Sequence, residues 1–441
     1  MNQSEFEKRL NQRGMFRIKP GLDRIRAVLR HVGNPQDTYP TIHVAGTNGK
    51  GSVAAAIESV CRQAGYKTGF YLSPHLEDLR ERIQISGQPV FSEAFMEAAR
   101  VVSEVESTTC SRLTYFEYLT AMAFIAFKQA RVDLAIVEVG LGGLWDATNA
   151  IRQPSISVIT SIGLDHVQWL GSTRSAIARQ KAGIIKIGSR VISGVRGSPG
   201  QVIEKVALDH QAPLTQIGRD FGTQVIETHW ETAQQVFRYR TRSEDSIFEF
   251  GLMGAHQADN AALAVTAIRH LQRSGWRIRD QHLRNGLNGI FWPCRFSVIR
   301  RSGQGPILLD GAHNPEAMRS FIRTLRQSPW SHVPKTLVFS AYSDKNYPEM
   351  ARLLEPLTER IYVCQLPNSR GLPAADLATA FKGTQKPVVM QQTPKQALHL
   401  ALAETPPDHL LMITGSLALV GMLWAECQAV QKPMAQAAVY A

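Results

Sequence analysis

Apolar and polar positions follow two rhythms along this chain. From Thr41 onward, short continuous apolar runs recur, each followed by a stretch of helical period. "TIHVA" leads through a glycine-rich turn into "SVAAAIESVC". "LAIVEVGLGG" (134–143), "SISVITSIGLDH" (155–166) and "SRVISGV" (189–195) read as further buried strands. Apolar runs without alternation suit strands covered on both faces, so the pattern predicts a parallel sheet with helices on both sides. Ligands of such sheets sit at the carboxyl ends of strands. Glycines and polar residues cluster at those ends here.

The rhythm changes over 215–255. "TQVIETHWETAQQVFRYRTRSEDSIFEFGL" alternates apolar and polar residues, with a turn at Arg242–Asp245, and predicts an antiparallel excursion. "NAALAVTAIRHLQRSG" (260–275) then reads as an amphipathic helix. Pro293 breaks "GIFWPCRFSVI" (289–299) at a domain junction. Beyond it, four or five strand–helix units restart, in "PILLDGAHNPEAMRSFIRTL", "KTLVFSAYSDKNYPEMARLL", "RIYVCQLPN", "PVVMQQTPKQALHLALAE" and "HLLMITGSLALVGMLWAE". The longest uncharged apolar stretch, Leu410–Ala425, is shorter than the roughly 20 residues of a membrane span. Gly415 and Ser416 interrupt it, so it reads as a strand, a turn and the start of a helix.

Composition narrows the classes. The 441 residues are 44% hydrophobic, enough to bury a sizeable core. "MNQSEFEKRL" has acids and no apolar run, so no secretory signal is expected. The five cysteines are dispersed, with no C-x-x-C, which fits a reduced cytoplasm and argues against a disulfide framework or a zinc site. The net charge of +12 suits an anionic partner. The basic residues form no block interleaved with aromatics, so an anionic small molecule is favoured over nucleic acid.

"GTNGKGS" (46–52) carries the sharpest chemistry. The usual phosphate loop, G-x-x-x-x-G-K-[ST], does not fit, because Gly51 separates Lys50 from Ser52. Even so, Gly46, Gly49 and Gly51 let backbone N–H groups approach a ligand, a helix beginning near Ser52 offers its positive end, and Lys50 adds charge for phosphates. An ordinary glycine turn with a stray lysine is the plainer reading, and a worse account of so dense a cluster between strand and helix. A phosphate loop works with magnesium, which takes hard oxygen ligands. Glu138 at a strand end and Ser73 in "YLSPHL" are candidates, although Ser73 alone is as easily a turn serine. His166 unaided is more often structural, and Lys181 in "ARQKAGIIK" would pass for a surface lysine. Asp310 and His313 in "LLDGAHNP" lie at the first strand end after the junction, where Asn314-Pro315 also suits a helix cap. The expected fold is therefore α/β. A P-loop parallel-sheet ATPase domain with an antiparallel excursion spans 1–296. A smaller Rossmann-like α/β domain spans 297–441.

These stretches together resemble the folylpolyglutamate synthases and dihydrofolate synthases of the Mur-ligase superfamily. "AGTNGKGS" matches that family's variant phosphate loop, with its glycine between lysine and serine. "SPHL" (73–76), "TYFE" (114–117), "EVGLGG" (138–143), "DATN" (146–149), "ITSIGLDH" (159–166), "KAGIIK" (181–186), "HQADNAALA" (256–264), "DGAHNP" (310–315) and "DK" (344–345) match in order and spacing. The resemblance implies an ATP-dependent ligase. ATP phosphorylates a pterin-borne carboxylate, and L-glutamate displaces phosphate from the acyl phosphate.

By the same resemblance, Asn48, Gly49, Lys50, Gly51 and Ser52 hold the triphosphate, with Asn260, Arg295 and Asp310 as further nucleotide contacts. Ser73 and Glu138 bind one magnesium ion and His166 helps bind a second; a potassium ion is a further candidate. Lys181 matches a lysine that the family carbamylates. Thr114, Tyr115, Phe116 and Glu117, with Trp145, Asp146 and Ala147, match the pterin site, and His313 lies near the incoming glutamate. The implied substrates are ATP, L-glutamate, dihydropteroate and reduced folates. The protein is expected to be a cytoplasmic monomer with no nucleic-acid or membrane partner. A folylpolyglutamate synthase lacking the first activity is the nearest alternative, and a non-catalytic nucleotide-binding switch a more distant one. "SPHL" and "TYFE" argue against a muramyl-peptide ligase. Leu144 and Trp145 stand where the family has Arg-Leu, Gln180 where it has an acid, Cys294 where it has glycine, and Lys19-Pro20 where enzymes accepting dihydropteroate often have Asp-Leu.

Overall fold

The structure, a computed structural model, describes residues 3–15 and 17–430. Residues 1–2 and 431–441 of the two expected domains lie outside the described residues. The chain divides into two compact units, one of 1–227, 236–251 and 256–290, the other of 228–235, 252–255 and 291–441.

The first unit is built on eight strands: β1 (Thr41–Ala45), β2 (Thr68–Tyr71), β3 (Ile83–Ile85), β4 (Gln88–Pro89), β5 (Leu134–Glu138), β6 (Ile156–Ile159), β7 (Arg190–Ser193) and β8 (Leu214–Gln216). They are ordered β4-β3-β2-β5-β1-β6-β7-β8. From β2 to β8 every pairing is parallel, and β1 and β5 are buried along their whole length, as continuous apolar runs require. The helices Ser92–Thr109 and Tyr115–Ala130 pack on Tyr71, Ala135 and Val137. Arg174–Ala182 and Gly197–Asp209 pack with Ala45, Ile159 and Val191. The edge strands β3 and β4 run antiparallel, which so short a stretch of sequence did not announce.

The expected excursion begins later than 215, because β8 still extends the parallel sheet. The strands β9 (Phe221–His229), β10 (Gln234–Thr241) and β11 (Asp245–Phe250) then form a separate sheet in the order β11-β10-β9. Their connections are too short for a parallel crossover. The helix Ala255–Arg273 follows.

In the second unit, β12 (Ser297–Arg301), β13 (Gln304–Leu309), β14 (Lys335–Phe339), β15 (Arg360–Cys364), β16 (Val388–Gln391) and β17 (Leu410–Thr414) are ordered β12-β13-β17-β14-β15-β16. Only β12 is antiparallel. Leu410–Ala425 is the strand, turn and helix start that its glycine implied, and among the described residues no helix is long and apolar enough to cross a membrane.

Three histidines of the first unit are held neutral, mainly by burial. His43 and His75 are lowered from 6.5 to about 3, and His270 to about 4. Lys186 adds repulsion at His43, Arg82 at His75, and Arg190 and Arg273 at His270. Below pH 6.5 the unfolded chain therefore binds protons that the fold refuses. Their contribution to stability is complete above the ordinary histidine range and lost as pH falls, by up to roughly 1.4 kcal/mol per histidine per pH unit. Urea midpoints should drop steeply between pH 6.5 and about 4. A flat profile over that interval would show these imidazoles to be charged in the native state.

Candidate active site

β1 runs into the loop 46–49, and the helix Lys50–Gln63 starts two residues earlier than the sequence suggested, at Lys50 rather than Ser52. Gly49 caps it with φ 84°, a left-handed value that favours glycine. A side chain there would also come within 2.5 Å of Asn260 Oδ1, so Asn260 closes over the loop. The residues after β6 brace it. Thr160 Oγ1 donates to the Asn48 carbonyl at 2.6 Å, the Asn48 N–H donates to Ser161 Oγ at 3.0 Å, and the Thr47 N–H donates to Ser161 O at 2.8 Å. The first-turn N–H groups of Lys50, Gly51 and Ser52 precede any intrahelical donation, which is how a helix end receives an anion.

Charged groups gather beside this loop. Lys50 Nζ donates to Thr47 O at 3.3 Å and stands 4.0 Å from Glu138 Oε1. Glu138 is buried at the end of β5 and accepts from the Ser73 N–H at 3.4 Å. Lys181 is a correction to its plain reading, because it is 4% exposed and not a surface lysine. Its Nζ donates to the Gly46 carbonyl at 2.7 Å. The cause is tertiary: a Cβ on Gly143 would meet Lys181 O at 2.8 Å and one on Gly183 would meet Leu144 Cα at 2.5 Å, so this helix end lies hard against the 143–144 backbone. His166 stands in the left-handed region before a short helix, with Nε2 3.9 Å from Asp165 Oδ1.

The expected pterin residues divide by role. Thr114 and Glu117 form a reciprocal capping box at the start of Tyr115–Ala130, and Glu117 pairs with Arg24 at 2.9 Å. Tyr115 is buried, while the ring of Phe116 fills the space over Gly140. Asp146 is buried and caps Ala147–Ala150. It accepts from the Leu141 N–H at 2.7 Å and from Thr148 Oγ1 at 2.5 Å. Having given its proton to Asp146, the Thr148 hydroxyl accepts from His43 Nε2 at 2.8 Å. Burial holds the Asp146 carboxyl above its ordinary range, against these donors. Trp145 is half exposed.

In the second unit, Asp310 follows β13 and accepts from the Phe296 N–H at 2.9 Å and the Ala312 N–H at 2.8 Å. Burial raises its carboxyl and Arg295 opposes the rise. His313 Nδ1 lies 2.9 Å from Gly311 O; a carbonyl only accepts, so Nδ1 carries the proton. Asn314 caps the helix Pro315–Gln327, as its sequence allowed. "DK" acquires a setting that the sequence could not give. Asp344 pairs with Arg370, whose guanidinium lies 4.6 Å from the Tyr342 ring centroid, and Lys345 Nζ is 3.9 Å from Asp344.

The Mur ligase middle domain matches 44–268 and the Mur ligase glutamate ligase domain matches 294–417. The dihydrofolate synthase/folylpolyglutamate synthase of Bacillus subtilis is 34% identical over 415 residues, covering 92% of this chain and 94% of that protein. This chain belongs to the dihydrofolate synthase/folylpolyglutamate synthase family. An E. coli FolC structure in complex with DHPP and ADP matches at TM-score 0.88 and 28% identity, covering 98% of this chain and 99% of that one. A Yersinia pestis folylpolyglutamate synthase/dihydrofolate synthase complexed with AMPPNP and Mn ion matches at TM-score 0.83 and 28% identity, covering 97% and 98%.

Two departures from the family pattern have physical readings. Gln180 meets the 143–144 segment through its backbone, accepting from the Leu144 N–H at 2.8 Å, a contact that needs no acidic side chain. Cys294 sits at φ 61°, where glycine is the unstrained residue. Cys294→Gly should therefore stabilise the second unit of this synthase by several tenths to about 1 kcal/mol, less the contacts of the buried thiol. A higher urea midpoint at unchanged slope is the expected result, and a lower one would mean that sulfur packing outweighs the backbone strain.

Proposed function

We propose that this chain is an ATP-dependent ligase joining L-glutamate to dihydropteroate, forming dihydrofolate, and to reduced folates, extending their glutamate tails. The observation that carries the reading is the loop 46–52: a glycine-capped helix start with Lys50 4.0 Å from the buried Glu138. Loop N–H groups and Lys50 hold and neutralise the ATP phosphates. A substrate carboxylate oxygen attacks the γ-phosphorus, the bond to the β-phosphate oxygen breaks, and ADP leaves. The glutamate nitrogen then attacks the acyl carbon of the acyl phosphate, gives up a proton, and phosphate departs as the amide forms. His313, whose Nδ1–H donates to Gly311 O at 2.9 Å, is read, as in the family, as the residue near the incoming glutamate. Positioning and charge neutralisation are most of what phosphoryl transfer asks of a protein.

The donor set fits a divalent ion of the magnesium kind. Among the described residues no group of three or more His, Cys, Asp or Glu could hold a metal. A site of one carboxylate, Glu138, and the Ser73 hydroxyl, completed by phosphate oxygens and water, is what magnesium accepts, and His166 would serve a second ion. Such an ion lowers the charge opposing attack on a phosphate. Lys181 is read as the carbamylated lysine of the family. Its position against the Gly46 carbonyl supports this by placing its nitrogen at the start of the phosphate loop.

The test is phosphate release by the purified chain with ATP and magnesium, adding dihydropteroate or tetrahydrofolate, each with and without glutamate. Release that requires both a pteroyl compound and glutamate is expected for both substrates. Turnover with tetrahydrofolate alone would favour the monofunctional synthase, and release indifferent to glutamate would refute the ligase reading.

A further inference from the structure

A cavity of about 450 Å³ is lined by the helices Gln3–Asn11, Ser92–Thr109 and Tyr115–Ala130 and the turns beside them, and none of its lining residues belongs to the candidate active site. That volume lies within the roughly 300–1,000 Å³ of small-molecule sites. Phe6, Leu10 and the Tyr118 ring supply its apolar wall. Its charge comes from Arg9, Arg13, Arg112 and Glu106. Two of these cancel. Arg13 Nη1 and Nη2 donate to Glu106 Oε1 and Oε2, both at 2.7 Å, and the side chains are only 18% and 11% exposed. Arg9 and Arg112 are exposed, and among the described residues neither has an ion pair or a side-chain hydrogen bond. The cavity therefore keeps two uncompensated guanidinium charges, one from the first helix and one from the turn after Ser92–Thr109.

Arg13 defines the shape of what would fit. Its Nη nitrogens are taken by Glu106 and by the Leu113 carbonyl at 2.9 Å, and its Cζ lies 4.5 Å from the Tyr118 ring centroid, so one face is covered. The opposite face is what it has left to offer, and a guanidinium face takes a flat ring. Arg9 and Arg112 offer forks for carboxylates. A flat apolar body carrying two carboxylates meets all three. Inorganic phosphate would leave the Arg13 face and the apolar wall uncovered, and a neutral aromatic would leave both charges unpaired. The same Arg13–Glu106 pair also holds the segment matched to the pterin site. Glu106 Oε1 accepts from the Leu113 N–H at 2.6 Å while Arg13 donates to the Leu113 carbonyl, so the two clamp Leu113 from both sides. Leu113 precedes Thr114, which opens the capping box of Tyr115–Ala130. A ring on Arg13 would steady the clamp and, with it, the start of that helix.

We propose that this cavity is an effector site for small aromatic dicarboxylates. The ring stacks on Arg13, the carboxylates pair with Arg9 and Arg112, and the clamp on Leu113 carries the effect to Thr114–Glu117. Binding stands on the cavity alone, and its effect on pteroyl substrates rests on the functional reading above.

Cys110 lines the cavity and is the exposed one of the five cysteines, which makes it a reporter of occupancy. The probe is isophthalate, with magnesium in excess. Saturating probe should slow iodoacetamide labelling of Cys110, followed by mass, about threefold or more, with a matching Kd from titration calorimetry. Arg9→Gln combined with Arg112→Gln should weaken that Kd about tenfold or more and leave turnover without probe unchanged. In wild type, saturating isophthalate should lower the KM for dihydropteroate and for tetrahydrofolate about fivefold, with the KM for ATP unchanged, and the double variant should lose the effect. Undiminished labelling at the solubility limit of the probe, equal protection by benzamide or by inorganic phosphate, or protection that survives in the double variant would overturn the site. Protection with unmoved pteroyl KM values would overturn the effector role. A wild-type chain that forms no product would overturn the functional reading instead, while the labelling result still decides the site.

Discussion

Lys50→Ala is expected to lower ATP turnover by at least about 10²–10³-fold, the cost of removing one positioned donor from a phosphoryl-transfer site. The loop should survive the change. Its shape is held by backbone and hydroxyl contacts from Thr160 and Ser161, and by the left-handed Gly49, none of which involves the lysine side chain. Among the described residues Lys50 belongs to no apolar cluster, and its amine meets only Thr47 O and the carboxylate of Glu138. Circular dichroism and the unfolding midpoint should therefore stay near wild type while phosphate release fails. Near-normal release would remove the phosphate-loop reading and the mechanism built on it.

Lys181→Ala should cost turnover about 10²-fold or more, and the loss should be partly restored by short carboxylic acids. A carbamate forms when the lysine nitrogen bonds to the carbon of CO2 and releases a proton, turning a cation into an anionic oxygen donor. A small carboxylate occupying the space left by alanine would imitate that group, whereas it could not replace an ammonium donating to Gly46 O. Rescue by formate or acetate, together with a mass increase on wild-type Lys181 in CO2-equilibrated samples, is the expected pair of results. Rescue by short amines with no mass change would show that the unmodified lysine does the work.

The comparison of sequence with structure turns on which forces are local. β1, β5 and β6 were legible because a strand buried on both faces has to be a continuous apolar run, and the phosphate loop because three glycines and a lysine before a helix have few other uses. The capping box Thr114–Glu117 was legible too, since T-x-x-E before an apolar run is its signature. Its place in a family motif drew attention to binding first. The burial of Lys181 was not legible: "RSAIARQKA" offers little apolar pattern, and the close packing of Gly143 and Gly183 decides it. The left-handed backbone at Cys294 is invisible in a residue that normally avoids it. His43 owes its interest to a partner met only in three dimensions, and no spacing rule pairs it with Thr148.

The central claim is that ATP activates a pteroyl carboxylate for attack by glutamate. Oxygen labelling tests it most directly. Dihydropteroate carrying ¹⁸O in its carboxylate is converted by the wild-type chain with ATP and glutamate, and the released phosphate is analysed by mass. An acyl-phosphate route carries one carboxylate oxygen into each phosphate, so each turnover should yield singly labelled phosphate and dihydrofolate that retains the other oxygen. Unlabelled phosphate, released with or without product, would contradict the account.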